Sequence, residues 1–493
     1  MVQIMAVTVN PPPAPANRVS TRRALARALP PLAVGTLIAL TPVPQSLTAN
    51  AWRYFALFAA VITGIITEPI SPAVLGLAGV ALAAVSGLVR ASPADATNWA
   101  LSGFANSTVW LIFAAYMFAM GYSETGLGKR IALHLIRAMG TRTLGLGYAV
   151  TLADLVIAPF TPSVTARSGG IIYPIISNIP VLYGSRPEDG TERKMGAYLL
   201  YTALAGSTIT SSMFITALAP NALAIALIAK ATNVTIPWLD WFKGFAPVGI
   251  TLLALMPLLV YKIYPPEIKE APEAPRWARE QLRQMGETSR KEFTFLVLVT
   301  VALALWIGAA QYVDPAMVAI AIVVLMVMFR VIPWNAMIGN AQAWNVLVWF
   351  ATLVTLAGGL AETKFVDWIA ESIAPILSGL GFYVTITGLV GAFFFLHYFF
   401  ASITAHTSAL LPVFLGIAIK IPIVPPLVWA LLLAYTLGLI GILTPYASGQ
   451  NAVYFGCGYI SRRDFWVLGV ILGIVFFGVY MAIVLPWFAF LKI

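Results

Sequence analysis

The sequence predicts an all-α polytopic membrane protein built from two inverted repeats, each with a re-entrant helical hairpin and a broken helix. Three observations carry that expectation. Of 493 residues, 60% are hydrophobic and 10% charged, with mean hydropathy +0.88; a soluble domain has about 25% charged residues. Apolar stretches approaching the ~20 residues of a membrane crossing recur along the whole chain. Two polar stretches interrupt them in matching form: Ser163-Val164-Thr165-Ala166-Arg167, followed by Pro174, and Ser402-Ile403-Thr404-Ala405-His406, followed by Pro412.

Taken in order, residues 1–28 read as a disordered, basic cytoplasmic tail, with a Pro-rich run at 11–15 and Arg18, Arg22, Arg23 and Arg27. A signal peptide has the same charge logic, but a tail before a first transmembrane helix is the preferred reading. Apolar spans follow near 29–47, 52–68, 72–89 and 106–124. Residues 126–139 differ: Arg130, His134 and Arg137 share one helical face, and Leu127, Ile131 and Leu135 another. That pattern predicts an amphipathic helix in the membrane interface. A short span at 143–158 leads to Thr161–Pro174, which carries too many prolines and glycines for a full crossing. Open backbone at membrane depth must be buried in protein or line a wet cavity, so a re-entrant hairpin fits. Asp154, just before it, reads as a local cap or ion-pair partner rather than a proton carrier.

The helix from 195 to 229 is interrupted by Ser211, Ser212, Thr216 and Ala219-Pro220-Asn221, which predicts a discontinuous helix. After a span at 241–261, residues 262–292 read as a charged cytoplasmic linker. The second half then repeats the first. Spans are expected at 293–312, 315–333, 343–361 and 380–399. An interfacial helix carries Phe365, Ile369 and Ile373 opposite Lys364, Asp367 and Glu371. A second hairpin covers 401–421, a helix breaks at Thr444–Asn451, and a last span covers 465–487. Glu124 and Glu362, Ser163 and Ser402, and Asn221 and Asn451 recur in the same order at nearly constant separation, the mark of an internal repeat. The domain reading is therefore 29–261 as the first transmembrane helix plus repeat one, and 293–493 as repeat two.

Chemistry concentrates in the four breaks. Half-helix N-termini offer free N–H groups and positive partial charge, which suit anions. Ser163, Thr165, Ser402 and Thr404 add hydroxyl donors, Arg167 a fixed positive charge, and His406 one tunable near neutral pH. No acidic residue lies in either tip or break. The expected ligand is therefore an anion. The net charge of +10 has no basic stripe with interleaved aromatics, so nucleic acid is discounted. A lone Cys457 and three histidines without HExxH leave no metal motif and no sign of a cofactor; nor does a nucleophile–base pair suggest an enzyme.

At these residues the chain resembles the divalent anion/sodium symporter family, over nearly its whole length from about residue 30. Ser163-Val164-Thr165 and Ser402-Ile403-Thr404 are similar to the family's paired Ser-Asn-Thr tips. Ala219-Pro220-Asn221 and the break containing Thr444, Ser448, Gly449 and Asn451 resemble its unwound loops. Thr161–Ile172 and His397–Ser402 resemble the bacterial and plastid branch of 2-oxoglutarate/malate and citrate/succinate exchangers. The resemblance implies a homodimer in the bacterial inner membrane, an elevator-type movement of a substrate-carrying domain, and a pocket formed by these tips and breaks. The motif asparagines that help bind sodium are Val164 and Ile403 here, which lack side-chain oxygen ligands. The expected function is exchange of di- or tricarboxylate anions such as succinate, malate, 2-oxoglutarate, citrate or tartrate, without sodium. The alternatives are a sodium-coupled dicarboxylate/sulfate symporter and an anion channel.

Overall fold

The computed structural model describes residues 21–309 and 311–492, which are almost entirely helical; no strand forms among them. Seven helices are long and apolar enough to cross a membrane, among them Trp238–Ile263, Ala341–Glu362 and Arg462–Leu491. Shorter apolar helices, such as Pro72–Val85, Ala219–Thr232 and Ile403–Ile419, fill the space between them.

Local sequence sets many of the helix starts. Proline occupies the first turn at Pro72, Pro93, Pro315 and Pro426, where its missing N–H costs no helical bond. Asn106 and Asp314 accept from Thr108 N and Ala316 N, capping Ser107–Thr125 and Pro315–Met328. Ser289 caps Arg290–Gly308 by accepting from Glu292 N.

The buried centre is the helix Gly196–Met213, every residue of which is buried. It packs against Thr143–Ile157, Trp238–Ile263 and the short helix Thr436–Leu439. The last approach is so close that a Cβ on Gly438 would overlap Ser212 and the Thr208 carbonyl.

The two helices expected from amphipathic periodicity form, as Leu127–Met139 and Phe365–Ser378. Each begins beside a residue in the left-handed region, Gly126 (φ 75°) and Lys364 (φ 65°). Each is preceded by a threonine bonded back to a glycine carbonyl: Thr125 to Gly121 at 2.7 Å and Thr363 to Gly359 at 2.8 Å. His134 is exposed.

Three differences from the sequence reading are instructive. Residues 1–20 of the expected tail lie outside the described residues, but 21–28 belong to the helix Thr21–Leu40, which packs on Ala49–Thr67. The short helices Pro93–Leu101 and Trp334–Gly339 were not expected. The linker is also ordered. Its helix Glu273–Met285 buries Ala274, Pro275 and Ala278 and packs on Leu127–Met139. Arg130 bonds Glu292 at 2.5 Å and the Gly286 carbonyl at 3.1 Å. Residues 267–271 bond the backbone of Arg193, Lys194, Thr141 and Thr143. The sequence reading gave this charged linker no helix, although its small residues Ala274 and Ala278 recur at helical spacing.

Candidate functional site

The first tip follows the helix Thr143–Ile157 and a 3-10 turn, Ala158–Phe160. Backbone turns at Thr161–Val164, and a π-helix, Thr165–Ile172, leads away. Such i→i+5 turns are rare and frequently lie at functional sites. Ser163 Oγ accepts from Ala166 N at 3.2 Å, and Ser163 O accepts from Arg167 N at 2.8 Å. The second tip is built the same way. A 3-10 turn, Leu396–Phe399, precedes it. Ser402 Oγ accepts from Ala405 N at 3.3 Å, and Ser402 O from His406 N at 3.0 Å. Here the continuation is a regular α-helix, Ile403–Ile419.

The two breaks also share one construction. The first separates Gly196–Met213 from Ala219–Thr232; the second separates the turns ending at Ile442 from Gly449–Gly456. Asn221 Nδ2 donates to Ser211 O at 2.6 Å and Phe214 O at 3.0 Å. Asn451 Nδ2 donates to Gly441 O at 2.8 Å and Thr444 O at 2.7 Å. In both cases the asparagine reaches the carbonyls ten and seven residues earlier, which the break has freed from helical bonding. Pro220 occupies the first turn after the first break. Ser448 Oγ bonds Asn451 Oδ1 at 3.1 Å and Gln450.

The halves are joined crosswise. The π-helix of the first tip packs on Gly449–Gly456, and Ile403–Ile419 packs on Ala219–Thr232. Ser168 Oγ and Tyr454 OH lie 2.9 Å apart, and a Cβ on Gly449 would overlap Thr165. The first tip also meets its own break, where Ala219 N donates to Pro162 O at 2.8 Å. His397 Nε2 and Ala447 O, 3.1 Å apart, tie the second tip to the second break.

Access is uneven. Thr165 and Gly449 are exposed, and Ser402 and Thr404 half-buried. Ser163, Val164, Pro220, Asn221, Ile403, Thr444, Ser448 and Asn451 are buried. Hydroxyl-bearing residues thus reach open space chiefly where the first tip meets the second break, at Thr165, and at the second tip, at Ser402 and Thr404.

Arg167, expected as a fixed positive charge in the pocket, instead turns inward and holds the tip through backbone carbonyls. It is fully buried and paired with Asp154, whose two carboxylate oxygens both lie 3.1 Å from Nε. Nη1 donates to Thr161 O at 2.8 Å and Ala217 O at 2.7 Å; Nη2 donates to Ser211 Oγ at 2.9 Å, Thr210 Oγ1 at 3.3 Å and Ser207 O at 3.4 Å. All five guanidinium donors are therefore engaged within the protein. The physical reason is burial: a cation inside the membrane is tolerated when paired and fully hydrogen-bonded. His406 differs too. It is fully buried among Phe393, Phe400 and His397, with ring centroids 4.5, 5.3 and 5.1 Å away, and neither ring nitrogen has a hydrogen-bond partner among the described residues.

Sequence reasoning did not single out Thr210 or Tyr454; Ser168 and His397 entered only as members of the stretches Thr161–Ile172 and His397–Ser402. Thr210 and Ser168 are hydroxyls in apolar helices, a pattern that alone marks ordinary helix packing as readily as a site.

A polar centre assembled from broken helices inside an apolar bundle is the architecture of membrane transporters. Residues 22–493 match the family described as Sodium:sulfate symporter transmembrane region, and the chain belongs to that family. It is 44% identical, over 94% of its own length and 97% of theirs, to proteins named L-tartrate/succinate antiporter from Shigella sonnei (strain Ss046) and Escherichia coli (strain K12). The fold is similar to the crystal structure of the Alcanivorax borkumensis YdaH transporter, with TM-score 0.51 and 14% identity over 95% of this chain and 97% of that one.

Proposed function

We propose that this protein is an antiporter exchanging dicarboxylate anions of the succinate, tartrate or malate type across a membrane, without sodium. One observation carries the reading. Two serine-capped tips and two asparagine-braced breaks meet crosswise, with hydroxyl-bearing residues accessible, while the buried carboxylate nearby, Asp154, is already paired. That arrangement suits a small dianion. The relatives named L-tartrate/succinate antiporter support the substrate class.

Sodium coupling is the second reading, favoured by the family's description. Against it stand Val164 and Ile403, buried and apolar in the middle of each tip, where they supply no side-chain oxygen to a hard cation. The matched tips, breaks and interfacial helices support two inverted repeats, 29–261 and 293–493, with each tip as a re-entrant hairpin. The ordered linker, rich in Lys and Arg, is placed on the cytoplasmic side. A homodimer in a bacterial inner membrane, with the hairpins carried by an elevator-type movement, completes the proposal.

The test is uptake of labelled succinate into proteoliposomes. Exchange predicts fast uptake only with succinate or tartrate inside, equal in sodium and in potassium. Sodium-dependent uptake into empty vesicles would establish symport instead. Succinate-dependent single-channel conductance would establish a channel.

A further inference from the structure

We infer that Asp154 is the positioning residue of the first tip: it fixes the Arg167 guanidinium, which in turn binds the tip to the broken helix, and it cancels the guanidinium's charge. The inference rests on the antiport reading and goes deeper into the same site.

Asp154 lies in the last turn of Thr143–Ile157 and is buried with Arg167. Its carboxylate receives Arg167 Nε–H and the Thr210 hydroxyl. These donors call for an acceptor-only carboxylate and leave it no role as a proton carrier. Thr210 stands on the fully buried helix Gly196–Met213, so Asp154 grips the guanidinium against the most deeply enclosed element of the fold. The far end of Arg167 then holds Thr161 O, at the turn of the tip, and Ala217 O, inside the first break. One side chain thus sets the distance between tip and break, and with it the placement of Ser163 and Thr165. Because the pair is internally neutral, Arg167 adds no net charge to this half of the site; the anion is met by hydroxyls and helix N-termini instead.

Removing one member of a buried ion pair strands the other charge, whereas replacing both with neutral groups can be tolerated. Asp154→Asn, Arg167→Gln, their double variant and Thr210→Val are therefore compared with wild type for succinate exchange in proteoliposomes and for thermal melting in detergent. Each charge-stranding single variant is expected to lower exchange at least about 30-fold. The double variant strands no charge and is expected to melt above both singles, but its exchange should stay low because the ties to Thr161 O and Ala217 O are lost. Thr210→Val strands no charge; it should fold and raise the succinate KM about fivefold, with the maximal rate within about twofold. Single variants that cannot be recovered folded, beside a double variant that folds but exchanges poorly, support the inference equally. The inference is overturned if Asp154→Asn exchanges like wild type, if the double variant melts no higher than Arg167→Gln, or if the double variant exchanges like wild type, which would mean that the guanidinium does not place the tip. It is also overturned if no charge variant folds and Thr210→Val is kinetically normal. A wild type that exchanges no dianion would count against antiport alone; the order of melting temperatures would still decide the pairing.

Discussion

At the first tip the residue whose N–H bonds the capping serine's carbonyl is Arg167; at the second it is His406. The backbone around them is alike in its bonding: serine cap, 3-10 approach, asparagine brace on the break of the same half. The side chains diverge. Arg167 spends every donor on protein acceptors, while His406 sits in an aromatic box with both nitrogens unbonded among the described residues. Equivalent backbone thus supports two electrostatic solutions. The first tip is locked by an ion pair; the second is held by packing and by His397 on Ala447. The second tip is the softer of the two.

The largest expected effect comes from breaking the lock. Arg167→Lys keeps the charge but places three donors on one atom, which cannot serve Asp154, Thr161, Ala217 and Ser211 at once. Loss of two or more charge-assisted bonds should destabilise the protein by about 3 kcal/mol or more and abolish exchange. His406→Gln, at the matched position, breaks no hydrogen bond among the described residues but seats an unbonded amide among aromatic rings; it should cost about 1–3 kcal/mol, less than Arg167→Lys, and leave some exchange. Denaturation and counterflow assays on the two variants check the contrast; equal losses would erase it.

Next in size is a steric probe of the crossing. Gly449→Ala drives a methyl into Thr165 and should cost about 1–3 kcal/mol and slow exchange. Gly441→Ala, beside Ile403 of the second tip, would meet its nearest neighbours at 3.2 and 3.5 Å and should be milder. A reversed order of melting temperatures would contradict the assignment of the tighter junction to the first tip.

The braces should behave alike. Asn221→Ala and Asn451→Ala each remove two hydrogen bonds to freed carbonyls, for about 1–3 kcal/mol apiece. A gap between them much beyond about 1.5 kcal/mol would show that the matched geometry hides unequal energetics. The smallest effects on stability should come from the caps. Ser163→Ala and Ser402→Ala should each cost about 1 kcal/mol, while raising the succinate KM about tenfold if the hydroxyls reach the anion. A normal KM in both variants would move the site away from the tips.

Much of this was legible in the sequence, because polar residues in an apolar chain have few explanations. The two serine-capped turns, both breaks and both amphipathic helices follow from proline, glycine and hydroxyl clusters and from helical periodicity. What escaped were long-range pairings. Nothing in the spacing of Asp154 and Arg167 tells that Thr210 will close the pair from another helix, or that the arginine will consequently turn inward. His406 was legible as titratable but not as enclosed, since its box draws Phe393, His397 and Phe400 from the preceding arm and turn of the hairpin. The helix inside the charged linker was not legible because composition reports charge, while that helix packs on Leu127–Met139.

The central claim is that the anion binds where the first tip meets the second break. Thr165 is exposed there, against Gly449, and Cys457 is the chain's only cysteine. A Thr165→Cys variant in a Cys457→Ser background therefore presents one reporter thiol at the junction. Its labelling rate with a charged maleimide is to be measured in proteoliposomes with and without succinate. Protection by succinate and L-tartrate, independent of sodium and absent with a monocarboxylate of similar size, is the predicted result. Labelling at the same rate with and without every dicarboxylate would contradict the account.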